Sequence, residues 1–138
     1  MVSYSIASAR LFDGSENRVI MNGVSGYIGA TAFLKYMEDE YIRITGDNPE
    51  EGRAWKLLSQ FALEPGEYTL TGMKEGEQKV ALQLYISDDT GFYQYFYQWN
   101  EDVRVSVERE AKATLHVMLY PNAEQIDVVA RPAVYRDE

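Results

Sequence analysis

Apolar and polar residues alternate with a period of two along most of the second half of this chain, and that rhythm leaves few folds open. Val80, Leu82, Leu84 and Ile86 alternate with Ala81, Gln83, Tyr85 and Ser87. Val103, Val105 and Val107 alternate with Arg104, Ser106 and Glu108, and Leu115, Val117 and Leu119 with Thr114, His116, Met118 and Tyr120. Ile126, Val128 and Ala130 alternate with Asp127 and Arg131. Upstream, Trp55, Leu57, Phe61 and Leu63 share one parity, which predicts that Trp55 faces the core with them. Turn residues punctuate these runs: Gly46-Asp47-Asn48-Pro49, Pro65-Gly66, Gly72 to Gly76, Asp88-Asp89-Thr90-Gly91, Asn100 to Asp102 and Pro121-Asn122. Short strands at such spacing predict an all-β antiparallel sandwich or barrel, and no alternation of strand with helix suggests a parallel sheet.

The first third is less regular. Ala30, Phe33, Leu34, Met37 and Tyr41 match a helical stripe, but a hairpin that turns through Glu38-Asp39-Glu40 into Tyr41–Gly46 suits the β-branched second arm better. A further strand is expected at Val2 to Ala9, and Gly23, Gly26 and Gly29 suggest loops or bulges. A length of 138 residues, with 46% hydrophobic side chains, fits one domain over residues 1–138.

Charge and composition exclude several classes of function. The formal charge is −9 and the 13 Lys and Arg are scattered, so neither a nucleic-acid phosphate backbone nor an anionic membrane surface is an expected partner. No apolar stretch approaches a membrane span, and no signal peptide is visible at Met1–Ile6. The absence of cysteine removes disulfides, thiolate metal sites and thiol nucleophiles.

Catalytic chemistry finds no support in the residues. The one histidine, His116, shares its strand with an apolar parity from which it faces away, and no nucleophile elbow accompanies it. One His without Cys does not make a zinc site, and neither a dinucleotide-binding glycine motif nor a phosphate loop occurs. The acidic pairs Asp88-Asp89 and Glu101-Asp102 fall in turns, where solvated turn chemistry accounts for them. Asp47, Asn48, Glu50 and Glu51 form the best local oxygen set for a structural calcium, without the spacing of a known loop. The chain is therefore expected to be no enzyme, with no cofactor and no catalytic or metal-ligating residues.

The sharpest local feature is Phe92-Tyr93-Gln94-Tyr95-Phe96-Tyr97-Gln98-Trp99-Asn100. As a strand it sets Tyr93, Tyr95, Tyr97 and Trp99 on one face, against Phe92, Gln94, Phe96 and Gln98 on the other. Either Phe92 and Phe96 face the core and the tyrosines and Trp99 form an exposed aromatic ladder, or the reverse. An exposed ladder suits stacking on sugar rings or contact with a protein, and a buried one suits cross-strand packing. Tyr93, Tyr95, Tyr97 and Trp99 are the candidate ligand-binding residues.

With the strands placed, Phe61-Ala62-Leu63-Glu64-Pro65-Gly66-Glu67-Tyr68-Thr69-Leu70-Thr71-Gly72 resembles the L-x-P-G-x-Y-T-L-S-G motif of jelly-roll domains in phage tail, baseplate and fibre proteins. These are similar in architecture to carbohydrate-binding modules. The hairpin end Tyr41–Gly46 resembles their Ile-x-x-x-Gly pattern, and Val128–Tyr135 resembles their terminal strand, with Ala133-Val134 where Met-Leu is common. The resemblance spans Tyr41 to Tyr135 and implies a jelly-roll-type β-sandwich. It further implies a non-catalytic virion component or accessory module that binds a host-surface glycan or a neighbouring virion protein, as a homo-oligomer. A purely structural assembly protein, and a carbohydrate-binding module of a secreted or cell-surface bacterial enzyme or adhesin, are the alternatives with the same fold.

Overall fold

The computed structural model describes residues 25–74 and 79–137. The expected strand at Val2 to Ala9 and part of the Gly72 to Gly76 turn lie outside them. The described residues are all-β and every strand pairing is antiparallel. In chain order the strands are β1 (Gly26–Ile28), β2 (Ala32–Tyr36), β3 (Ile42–Asn48), β4 (Ala54–Leu63), β5 (Gly66–Thr71), β6 (Val80–Ser87), β7 (Tyr93–Gln98), β8 (Val103–Val107), β9 (Ala111–Leu119), β10 (Ala123–Ala130) and β11 (Ala133–Arg136). The hairpin reading of residues 32–48 holds, with one 3-10 turn at Glu38–Glu40.

One layer is the sheet β4-β9-β6-β7. The other is split into β1-β2-β3-β10 and β11-β5-β8. Arg131-Pro132 causes the split: Pro132 has no N–H for a ladder, and the chain changes partner there, from β3 along β10 to β5 along β11. The Arg131 amide instead donates to the Gly72 carbonyl at 3.1 Å. Gly72 has φ +121°, and a Cβ there would lie 2.2 Å from the Arg131 carbonyl oxygen, so the seam requires glycine.

The alternating parities predicted from sequence meet in a single core. Leu34 and Ile44, Tyr68 and Leu70, and Leu82, Leu84 and Leu115 all lie in it fully buried, one group from each sheet. Burying each such aliphatic side chain contributes roughly 1.5–3 kcal/mol. The Pro65-Gly66 motif acquires a physical role here. Tyr68 is buried, and its hydroxyl donates to the Glu64 carbonyl at 2.7 Å, tying β5 to the turn that starts it. Burial pushes the Tyr68 phenol above its ordinary range, with Arg136 nearby opposing the shift.

Candidate functional site

The outer face of β4-β9-β6-β7 is built by register. Leu84 opposite Phe96 puts Phe96 on the core side, and Gln83 opposite Tyr97 puts the tyrosine parity outside. Successive rows across the sheet then read Leu57, His116, Gln83, Tyr97; next Gln60, Thr114, Tyr85, Tyr95; and next Ala62, Lys112, Ser87, Tyr93. Tyr93, Tyr95 and Trp99 are 58%, 49% and 42% exposed. The exposed-ladder alternative is the one that occurs. Phe92 precedes the strand and is exposed rather than packed inside.

Trp55 departs from expectation. It is 47% exposed, with Leu57 beside it, whereas Phe61 and Leu63 are buried. Leu57 pairs with His116 but Ser59 with Leu115, so Leu58 is an inserted bulge residue. One extra residue reverses parity, so the stretch before the bulge turns its odd residues outward and the stretch after it turns them inward. Trp55 therefore joins the outer face rather than the core.

The tyrosines brace one another. Tyr85 and Tyr95 lie 4.8 Å apart between ring centroids, Tyr93 meets Tyr95 edge-to-face at 6.0 Å, and Tyr95 and Tyr97 are nearly parallel at 6.5 Å. Such contacts fix ring positions that isolated exposed side chains would not hold. The Tyr97 hydroxyl accepts from Gln83 Nε2 at 3.2 Å and from Arg53 at 3.4 Å. The Arg53 guanidinium lies over both Tyr97 and Tyr120, 5.6 and 5.7 Å from the ring centroids.

Two devices hold β7, an edge strand of its sheet. At one end Gln98 is buried, and its amide donates to the Met73 and Glu101 carbonyls while its oxygen accepts the Met73 amide at 2.9 Å. At the other end Asp88 closes the β6–β7 turn, accepting from the Thr90 hydroxyl and from the amides of Thr90 and Phe92. The Thr90 hydroxyl leads in holding the Asp88 carboxyl below its usual range. Asp88 is thus a turn residue, as its sequence position suggested.

His116 sits between Leu57 and Gln83 in register, and its Nδ1 is buried without a hydrogen-bond partner. Burial depresses its pKa, because an imidazolium would need an acceptor at both nitrogens. The calcium candidates serve the loops instead. Asn48 is buried and donates to the Gly52 and Tyr120 carbonyls, and Asp47 accepts the Gln125 amide at 2.8 Å. Among the described residues no group of three His, Asp or Glu is placed to hold a metal ion, and no helix is long and apolar enough to cross a membrane.

The structure therefore assembles Tyr93, Tyr95 and Tyr97 in one cluster with Trp99 on their parity, and adds residues that the stripe alone did not indicate. Tyr85, Gln83 and Tyr120 were visible only as the polar parity of their strands, and Arg53 lies in the loop before β4. A signal for Tyr85 existed: a Tyr on the non-core parity of a strand that ends five residues before an aromatic strand is placed to face it across a hairpin.

No protein-family model matches the chain, and no curated protein matches it. Among solved structures the chain is similar to one from the crystal structure of accessory secretory protein 1, 2 and 3 in Streptococcus pneumoniae, at 13% identity and TM-score 0.48, covering 82% of this chain and 93% of that one. It is similar to TmCBM61, solved with β-1,4-galactotriose, at 11% identity and TM-score 0.47, covering 94% and 92%. It is also similar to the family 11 carbohydrate-binding module of a Clostridium thermocellum cellulosomal cellulase, at 11% identity and TM-score 0.42, covering 94% of both.

Proposed function

We propose that this domain is a non-catalytic glycan-binding module whose contact surface is the outer face of β4-β9-β6-β7, with Tyr93, Tyr95, Tyr97 and Trp99 as its aromatic contacts. The observation that carries the reading is an exposed, mutually braced tyrosine cluster whose neighbours across the sheet include the amide of Gln60 and the hydroxyls of Thr114 and Ser87. Apolar sugar faces pack on aromatic rings, and sugar hydroxyls need both donors and acceptors beside those rings. Tyrosine supplies both from one side chain. The setting we infer is a virion component, on the resemblance of the Phe61–Gly72 strand-turn-strand segment. A module of a secreted or cell-surface protein would use the same face.

An open sheet face makes few contacts per sugar. Single-site affinity in the millimolar to micromolar range, roughly 4–8 kcal/mol, follows. Useful retention then needs several copies, and a homo-oligomer supplies them. The test is a glycan array probed with the wild type and with Tyr95→Ser. Binding that falls about tenfold or more in the variant, with an unchanged melting temperature, supports the module. A face that binds no glycan, in a chain that sediments as an oligomer dissociated by Tyr95→Ser, would identify an assembly surface instead.

A further inference from the structure

The chain carries 22 acidic and 13 basic residues, yet none of the strands β4, β6, β7 and β9 contains an Asp or a Glu. The opposite layer is mixed: Arg43 and Asp127 pair on its outer face, and Glu67 and Arg104 also stand on its strands. The strands of the aromatic face are therefore acid-free on an acidic molecule, and the acids near it stand in the connecting loops, such as Glu51, Asp88 and Glu110.

Its charged groups are cations. Arg53 is exposed, and among the described residues it has no carboxylate partner. Its guanidinium lies over the rings of Tyr97 and Tyr120, with one long hydrogen bond of 3.4 Å to the Tyr97 hydroxyl. Arginine has five N–H donors in a fixed fork that matches a carboxylate, and among the described residues only one of Arg53's donors is engaged. Lys112 is also exposed with no ion pair among the described residues, in the row of Tyr93. Four residues of β9 separate Lys112 from the His116 row, which includes Tyr97, so the two rows lie roughly 13 Å apart along the strands.

We infer that the ligand is an acidic saccharide: a glycan with carboxylates spaced among neutral sugars, one of which pairs with Arg53 while its ring packs on the tyrosine cluster. This rests on the glycan-binding reading above and narrows it. A dense polyanion does not suit the face, because only two isolated cations meet it and the molecule as a whole is at −9. A sparse carboxylate does, because a pre-positioned guanidinium forms a bidentate charge-assisted pair without first giving up another partner.

The experiment is an array on which sialylated and uronate-containing glycans are printed beside their neutral parents, probed with the wild type, Arg53→Gln and Arg53→Lys. The wild type is expected to favour acidic members by about tenfold or more, in line with a charge-assisted hydrogen-bonded pair. Arg53→Gln should remove that preference while leaving weak binding of the neutral parents. Arg53→Lys should restore only part of it, since an ammonium lacks the fork. Equal binding of acidic and neutral members by the wild type would overturn the inference and leave the glycan module standing. Binding of neither would remove both.

Discussion

At the scale of single residues, the outer face and the core turn each hold one side chain whose environment makes a measurable prediction. His116 has a buried Nδ1 with no partner, and its pKa is depressed by burial. Between its folded pKa and the ordinary value near 6.5, the folded state binds fewer protons than the unfolded state. Stability is then full above about pH 6.5 and declines as pH falls through the folded pKa. With one histidine in the chain, the urea midpoint of His116→Gln should lack this decline between about pH 6.5 and 5, above the main carboxylate range. Parallel midpoints in both proteins across that window would contradict the assignment. Tyr68 offers the second case. Removing its hydroxyl in Tyr68→Phe leaves the Glu64 carbonyl without that donor, and should cost about 1–2 kcal/mol by denaturant unfolding.

At the scale of elements, the decisive features are places where the two-residue rhythm is interrupted. Gly72 is one: Gly72→Ala would drive a Cβ into the backbone of Arg131 and Pro132, at 2.2–2.6 Å. Because the obstacle is backbone, the expected outcome is a loss of about 2–4 kcal/mol, or failure to fold, read by thermal melting. Gln98 is another, since Gln98→Leu strands three buried or half-buried backbone groups at Met73 and Glu101 and should cost about 2–4 kcal/mol. These places also explain what could be read beforehand. The strands from Val80 to Ile86 and from Leu115 to Leu119 were legible because their alternation runs unbroken and both sides of the pattern reach their expected faces. The position of Trp55 was not, because a bulge at Leu58 leaves no mark in an apolar pair, Leu57-Leu58, that satisfies either parity. The direction of the Tyr93–Trp99 stripe was open for a related reason. Both its parities carry aromatics, and only pairing with β6, through Leu84 and Phe96, decides between them. Tyr120 continues the outward parity of β9 one residue past its end, whereas Arg53 reaches the site from a loop, where no periodicity exists to announce it.

At the scale of the whole molecule, the two electrostatic characters of this domain act over different distances. The net charge of −9 is a long-range property, whereas the Arg53 fork acts at contact. The Debye length is about 30 Å at 0.01 M salt and about 10 Å at 0.1 M. In dilute buffer an approaching acidic glycan also feels the carboxylates of the rest of the molecule, and their repulsion opposes the local attraction. Moderate salt screens those distant groups first. The contact between Arg53 and a carboxylate, packed against two tyrosine rings, is screened much less. Affinity for an acidic glycan should therefore hold or rise from about 0.01 M to 0.1 M salt and fall only toward about 1 M, where the screening length is near 3 Å. Binding of a neutral parent glycan should change little over the same range. Calorimetric titrations at these salt concentrations measure the profile. A steep decline beginning in dilute buffer would mean that attraction by many cations dominates at long range, which the charge distribution of this chain does not allow.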